Sequence, residues 1–273
     1  MATEGGESFV PSAVKPKKLL ALLIINANRC VPLSAMENEL WGPTPPRSAT
    51  NTVQTYIMQI RRRLDSALAG RGGPSAKDVL VTEATGYQLS VEPQDLDVTR
   101  YENLVAKGEA ALAGQDYHRA ACLFADALDV WRDDALSDVR HGPMLETYVG
   151  ELEDSRTTAV ERRIEAELQL GQHYGVLREL TGLCTKHPFN ENLQSQLMLA
   201  LHRSGRRARA LAVYQQLRQR LINDLGIEPS LRLRELHRAV LNGDPSLEFD
   251  FRLTSTLHGC SLRSSRQRDG CGA

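Results

Sequence analysis

The sequence predicts a mostly α-helical protein built in two parts, and three observations lead there. Aromatic residues make up only 5% of the 273 residues, while Ala and Leu are plentiful, which favours helices packed through small side chains over an aromatic β-sandwich. Residues 11–92 alternate short helical and strand-like runs with prolines between them. Residues 95–241 then carry almost unbroken helical periodicity, with Gly171 and Gly205 separated by 34 positions, the period of a helix–turn–helix repeat. The expected division is a compact domain over 1–94, a helical solenoid over 95–245 and a disordered tail over 246–273, where periodicity is lost.

A first helix is expected over Lys17–Ala27, because Leu19, Leu20, Leu23 and Ala27 fall on one stripe and Pro16 suits a first helical turn. After Val31-Pro32-Leu33, Ser34 is placed to cap a second helix with Glu37 completing a capping box, and Gly42-Pro43 ends it. Beyond the stiff Thr44-Pro45-Pro46 link, a third helix runs over Arg47–Leu68. At 100° per residue, Val53, Tyr56, Ile57, Ile60 and Leu64 gather on its core side. The other side presents Asn51, Thr55, Met58 and Arg62, flanked by Gln54, Gln59 and Arg61. Val79–Thr82 and Tyr87–Val91 read as a hairpin joined through Glu83–Gly86, with Gly86 available for a positive φ.

Three helices followed by a hairpin make a winged helix-turn-helix, whose third helix enters the major groove of DNA while the wing approaches phosphates or the minor groove. Charge agrees with that reading. The chain as a whole is nearly neutral, with 33 basic and 34 acidic residues, which excludes a protein that coats nucleic acid indiscriminately. Yet Arg47, Arg61, Arg62, Arg63, Arg71 and Lys77 face only Asp65 between residues 47 and 77, the concentration a phosphate-facing surface needs. Asn51, Gln54, Thr55 and Met58 are therefore candidates for contact with base edges. Arg47, Gln59, Arg61, Arg62, Arg63, Thr85 and Gly86 are candidates for phosphate contact. Standing alone, such a helix face also suits plain solvent; the hairpin beside it favours DNA.

The motifs Lys15-Pro16-Lys17-Lys18-Leu19-Leu20, Leu40-Trp41-Gly42, Pro45-Pro46-Arg47-Ser48-Ala49, Asn51-Thr52-Val53-Gln54-Thr55-Tyr56-Ile57, Arg61-Arg62-Arg63-Leu64 and Thr85-Gly86-Tyr87 resemble the DNA-binding half of the SARP family. These are pathway-specific activators of actinobacterial antibiotic gene clusters, and their DNA-binding half is similar to the OmpR-type winged helix. Family members usually begin with an antiparallel sheet. Here only Met1–Ala13 precedes the first helix, so the leading sheet is expected to be truncated.

The second part carries equivalent residue classes at equivalent offsets: Val176 with Ala210, Leu180 with Tyr214, and Leu183 with Leu217. A more diverged copy lies upstream, with Gln115 in the glycine's place and Ala120, Phe124 and Ala127 as packing residues. Such repeats stack into a solenoid similar to tetratricopeptide arrays. Leu128-Asp129-Val130-Trp131-Arg132, Leu170-Gly171-Gln172-His173, Ser204-Gly205-Arg206 and Asp224-Leu225-Gly226-Ile227-Glu228-Pro229 resemble the bacterial transcriptional activation domain that follows the winged helix in the same family. The resemblance implies an activator that binds direct repeats in double-stranded promoter DNA, as a homodimer or as side-by-side protomers, and contacts RNA polymerase. The competing expectation is a repeat-type adaptor whose winged helix no longer binds DNA.

Enzymatic and metal chemistry find no support in the motifs. G-x-x-x-x-G-K-[ST], G-x-S-x-G and H-E-x-x-H are all missing, the seven histidines are dispersed, and the five cysteines form no C-x-x-C pair. Glu161, Glu165 and Glu167 read as a solvated face rather than a metal site. No cofactor is expected. The scattered cysteines suit a reducing cytoplasm, and the apolar run Leu19–Ile25 is too short to span a membrane.

Overall fold

A computed structural model describes residues 10–69 and 74–248. The segment expected to hold a residual leading strand, the expected disordered tail and Arg71 lie largely or wholly outside those residues. The fold is mostly helical, as the periodicity predicts. The described residues divide into two compact units between Arg163 and Ile164, so the boundary expected near residue 94 lies within the first unit.

The first unit opens with α1 (Val14–Ile25), β1 (Cys30–Pro32), α2 (Leu33–Trp41), α3 (Ala49–Leu68), α4 (Ala76–Val79), β2 (Leu80–Thr82) and β3 (Gly86–Leu89). Leu19, Leu20, Leu22 and Leu23 of α1, Met36 and Leu40 of α2, and Val53, Ile57, Ile60 and Leu64 of α3 close one apolar core over the sheet. Tyr56 is only half-buried at its edge. The sheet has three strands in the order β1-β3-β2, both pairs antiparallel, with Val31 opposite Tyr87 and Val81 opposite Gln88.

Two local expectations are corrected here. Ser34 does not cap α2. Cys30–Pro32 form β1, and the helix starts directly from that strand at Leu33, whose N–H donates to the Thr85 carbonyl at 3.1 Å. Glu37 is thereby freed from any capping box, and its Oε1 accepts from the Thr50 hydroxyl at 2.6 Å, tying α2 to the start of α3. Gly86, expected to supply a positive φ, has strand geometry instead. Its requirement is space: a Cβ there would lie 1.9 Å from the Val31 carbonyl oxygen, so only glycine lets β1 and β3 approach.

The helical part follows as α5 (Asp97–Ala113), α6 (Tyr117–Leu128), α7 (Pro143–Gln169), α8 (His173–Lys186), α9 (Glu191–Arg203), α10 (Arg207–Arg220) and α11 (Leu231–Asn242), with a π-helical turn at Leu221–Leu225 after α10. The three repeat turns are alike. Gln115, Gly171 and Gly205 have φ of 59°, 76° and 72°, and each is followed by the same closing bond. Asp116 N–H donates to Ala111 O at 2.9 Å, Gln172 to Glu167 O at 2.9 Å, and Arg206 to Leu201 O at 2.8 Å. This is the wide hydrogen bond that ends a helix through a left-handed residue.

Ala120, Phe124, Ala127, Val176, Leu180, Ala210, Tyr214 and Leu217 are all buried, as the repeat offsets require. Leu183 is half-buried. Small residues permit the close helix approach: a Cβ on Gly108 of α5 would sit 2.9 Å from the Phe124 ring of α6. Glu161, Glu165 and Glu167 are half-buried rather than solvated.

Within the first unit the winged helix is fastened to the helical part by charge. Glu39, on the same side of α2 as Met36 and Leu40, is 1% exposed. Its carboxylate accepts from the N–H groups of Gly142 (2.6 Å) and Met144 (2.8 Å) at the start of α7. Those donors have no partner inside their own helix, and the positive end of the helix dipole favours the anion. Lys17 pairs with Asp138 at 2.7 Å.

Candidate nucleic-acid interface

α3 is amphipathic for a simple reason: its apolar residues recur at spacings of three and four, so four of them reach the core together while the polar ones turn outward. Asn51, Gln54, Thr55, Met58, Gln59 and Arg62 are exposed. Met58, a large apolar side chain, is 53% exposed in the middle of this stripe, a poor arrangement for solvent and a suitable one for contact with a thymine methyl. The Thr55 hydroxyl donates to the Asn51 carbonyl at 2.9 Å, which leaves its lone pairs and methyl group facing outward. Arg47 is exposed in the turn before α3.

The three consecutive arginines have different surroundings. Arg62 lies on the exposed stripe with Asn51, Thr55 and Met58. Arg61 turns to the hairpin: its Nε donates to the Leu80 carbonyl at 3.0 Å and its Nη2 to the Thr82 hydroxyl at 2.8 Å, with the guanidinium 5.7 Å from the Tyr87 ring centre. Arg63 turns to the opposite flank, where its Nη1 donates to the Val10 carbonyl at 3.3 Å. At the wing, Thr82 to Thr85 are exposed while Gly86 is buried in the sheet. Glu83 places a carboxylate at the exposed tip, where it repels phosphate.

Asn28 and Asp65 carried no role in the sequence reading, yet both position this surface. Asn28, at φ 63°, clamps the exit of β3, with its Nδ2 donating to Val91 O at 2.8 Å and its Oδ1 accepting from Val91 N–H at 3.0 Å. Asp65 accepts from Ala76 N–H at 3.0 Å and so fixes α4 to α3. The signal for Asn28 was present: an Asn followed by a strand-prone run commonly takes the left-handed conformation. Nothing in the sequence marks the partner of Asp65.

A buried three-helix core, an outward α3 and a hairpin bound to it, followed by paired helices with left-handed turns, define a winged-helix transcription regulator with a helical repeat part. Comparison with known proteins agrees. The profile described as "Transcriptional regulatory protein, C terminal" matches residues 8–89, and that described as "Bacterial transcriptional activator domain" matches residues 96–241. The chain is 44% identical over 248 residues to the regulatory protein DnrI of Streptomyces peucetius, covering 91% of each. It is 35% identical to the regulatory protein AfsR of Streptomyces coelicolor over 90% of this chain and 24% of that one. The solved structure of Mycobacterium tuberculosis EmbR, in complex with a low affinity phosphopeptide, superposes with a TM-score of 0.81 at 32% identity, covering 86% of this chain and 61% of EmbR. The chain belongs to the SARP family of transcriptional activators, and its relatives are named as regulators rather than enzymes. Among the described residues no helix is long and apolar enough to cross a membrane.

Proposed function

We propose that this protein is a sequence-specific DNA-binding activator of a secondary-metabolite gene cluster, which binds direct repeats in promoter DNA and recruits RNA polymerase. The observation that carries the proposal is the division of α3: Val53, Ile57, Ile60 and Leu64 are buried while Asn51, Gln54, Thr55, Met58 and Arg62 are all exposed. Asn51, Gln54, Thr55 and Met58 then face base edges, and Arg47, Gln59 and Arg62 hold phosphates. Arg61 and Gly86 serve the geometry of the wing, and Thr85 remains exposed for contact with the sugar-phosphate chain. Direct repeats place protomers head to tail on the duplex, a heterologous arrangement.

The test is fluorescence anisotropy with duplexes from the promoters flanking the protein's own gene and with scrambled duplexes of equal length, across a salt series. Specific duplexes are expected to bind at least tenfold more tightly than scrambled ones. Arg62→Ala is expected to weaken binding to both classes and to reduce the slope of log K against log salt by about one. Equal affinity for all duplexes, or none at low salt, would sink the reading in favour of an adaptor that acts through protein contacts alone.

A further inference from the structure

The second unit holds a groove that DNA reading does not use. It is a cavity of about 520 Å³ between α8, α9 and α10. Its apolar part is Leu177, Leu197, Leu201, Val213 and Leu217, with Gln194 buried among them. Cys184 also lies there, and burial pushes its thiol up to about 12, so the floor is uncharged. Around it stand Arg178, Arg206, Arg209 and Arg220, all exposed, and no Asp or Glu lines the cavity. Among the described residues none of these four guanidinium groups is within 4.0 Å of a carboxylate. Arg218, outside the cavity, is paired with Glu228 at 2.6 Å.

Four uncompensated cations around an apolar floor are complementary to one kind of occupant. We infer that this groove binds an acidic peptide segment of a partner protein, whose apolar side chains fill the floor while its carboxylates meet Arg178, Arg206, Arg209 and Arg220. Planar guanidinium forks match carboxylates in paired hydrogen bonds. The apolar floor favours a peptide over nucleic acid, because a phosphodiester backbone has no aliphatic side chains to put there. The inference stands apart from DNA recognition by α3 and supplies a chemistry for the protein contacts of an activator.

The test uses the full chain on an array of synthetic 12-residue peptides in which a Leu-containing centre is flanked by acidic, amide or basic residues. Signal is expected to rise with Asp and Glu content. The strongest acidic peptide, labelled with fluorescein, is expected to bind about tenfold more weakly to the R178A/R209A variant, a change of about 1.4 kcal/mol. Charge reversal in R178E/R209E is expected to shift preference toward basic peptides. Circular dichroism melting controls for folding, which substitution of two exposed arginines should preserve. R62A is expected to leave peptide binding unchanged, so failure here is separable from failure of DNA binding. Absence of acidic enrichment overturns the inference. So does random duplex DNA that binds the same site, displaces the peptide and is itself lost in R178A/R209A, which would make the groove a nucleic-acid surface.

Discussion

Arg61 and Arg62 are adjacent in the sequence and opposite in consequence. Arg61 donates to Leu80 and Thr82 and holds the hairpin on α3, so Arg61→Ala should cost about 1.5–3 kcal/mol of folding stability, the range for hydrogen bonds from a charged group. Arg62→Ala removes an exposed side chain and should leave the urea midpoint within error while weakening DNA binding. A stable Arg61→Ala protein would show that the hairpin needs no such tie. The repeat turns give a second residue-scale contrast. Gln115 holds the left-handed conformation that Gly171 and Gly205 adopt at the equivalent places, and a residue with a Cβ is strained there. Gln115→Gly is therefore expected to stabilise by about 0.5–1 kcal/mol, and Gly205→Ala to destabilise by a similar amount. Urea titration of the two variants checks both signs. The position of Gln115 was legible because the repeat period placed it. The turning of Arg61 was not, since helical spacing alone puts it on the flank of the polar face without showing what stands beside it.

At the scale of elements, what the sequence revealed depended on whether the pattern was local. α1, α3 and the repeat helices follow from apolar spacing within each segment. β1 was missed because three residues, one of them proline, carry no alternation to read, and its strand character comes entirely from pairing with β3 some fifty-five positions later. The Ser34 cap was missed for the same reason: the long-range strand sets where α2 begins. Glu39 shows the other limit. It is buried on the side of α2 that carries Met36 and Leu40, and its partners at Gly142 and Met144 lie more than a hundred positions away. Glu39→Ala strands both N–H groups at the α7 start and should cost about 2–4 kcal/mol. Glu39→Gln keeps one good acceptor and should lose less. Denaturation midpoints for the pair decide the matter: a Gln variant as stable as the native protein would mean that the side chain acts only through packing, and one as damaged as Ala would mean that the α7 start requires the full carboxylate.

Over the whole molecule, the near-neutral charge conceals segments of unlike sign. Residues 1–94 carry 10 basic and 8 acidic side chains, residues 95–163 carry 8 and 15, and residues 164–246 carry 11 and 8. The acidity of the helical part therefore lies wholly in its first stretch, and the arginine-lined groove sits in a basic one. Stability should respond to pH in two windows, each set by groups whose folded state resists protonation. His237 stacks on Tyr214 with ring centres 3.8 Å apart, and burial lowers its pKa; burial followed by the charge of Arg203 does the same for His173. In the unfolded chain both titrate near 6.5. Below that pH the unfolded state binds more protons, so their contribution is complete above about 6.5 and is lost as pH falls toward the folded values. Asp138 is held low first by its hydrogen bond from Lys17, and Asp78 by the Ser75 hydroxyl. The stability these carboxylates supply is present above about 4 and is lost as pH falls through their folded values. Urea midpoints are therefore expected to fall between pH 7.5 and 5.5 and again between pH 4.5 and 3. His237→Phe, which keeps the ring stack without the titrating nitrogens, should shrink the first decline and leave the second. A midpoint that stays constant from pH 7.5 to 5.5 would mean that the stacked histidine is protonated as easily in the folded protein as in the unfolded chain.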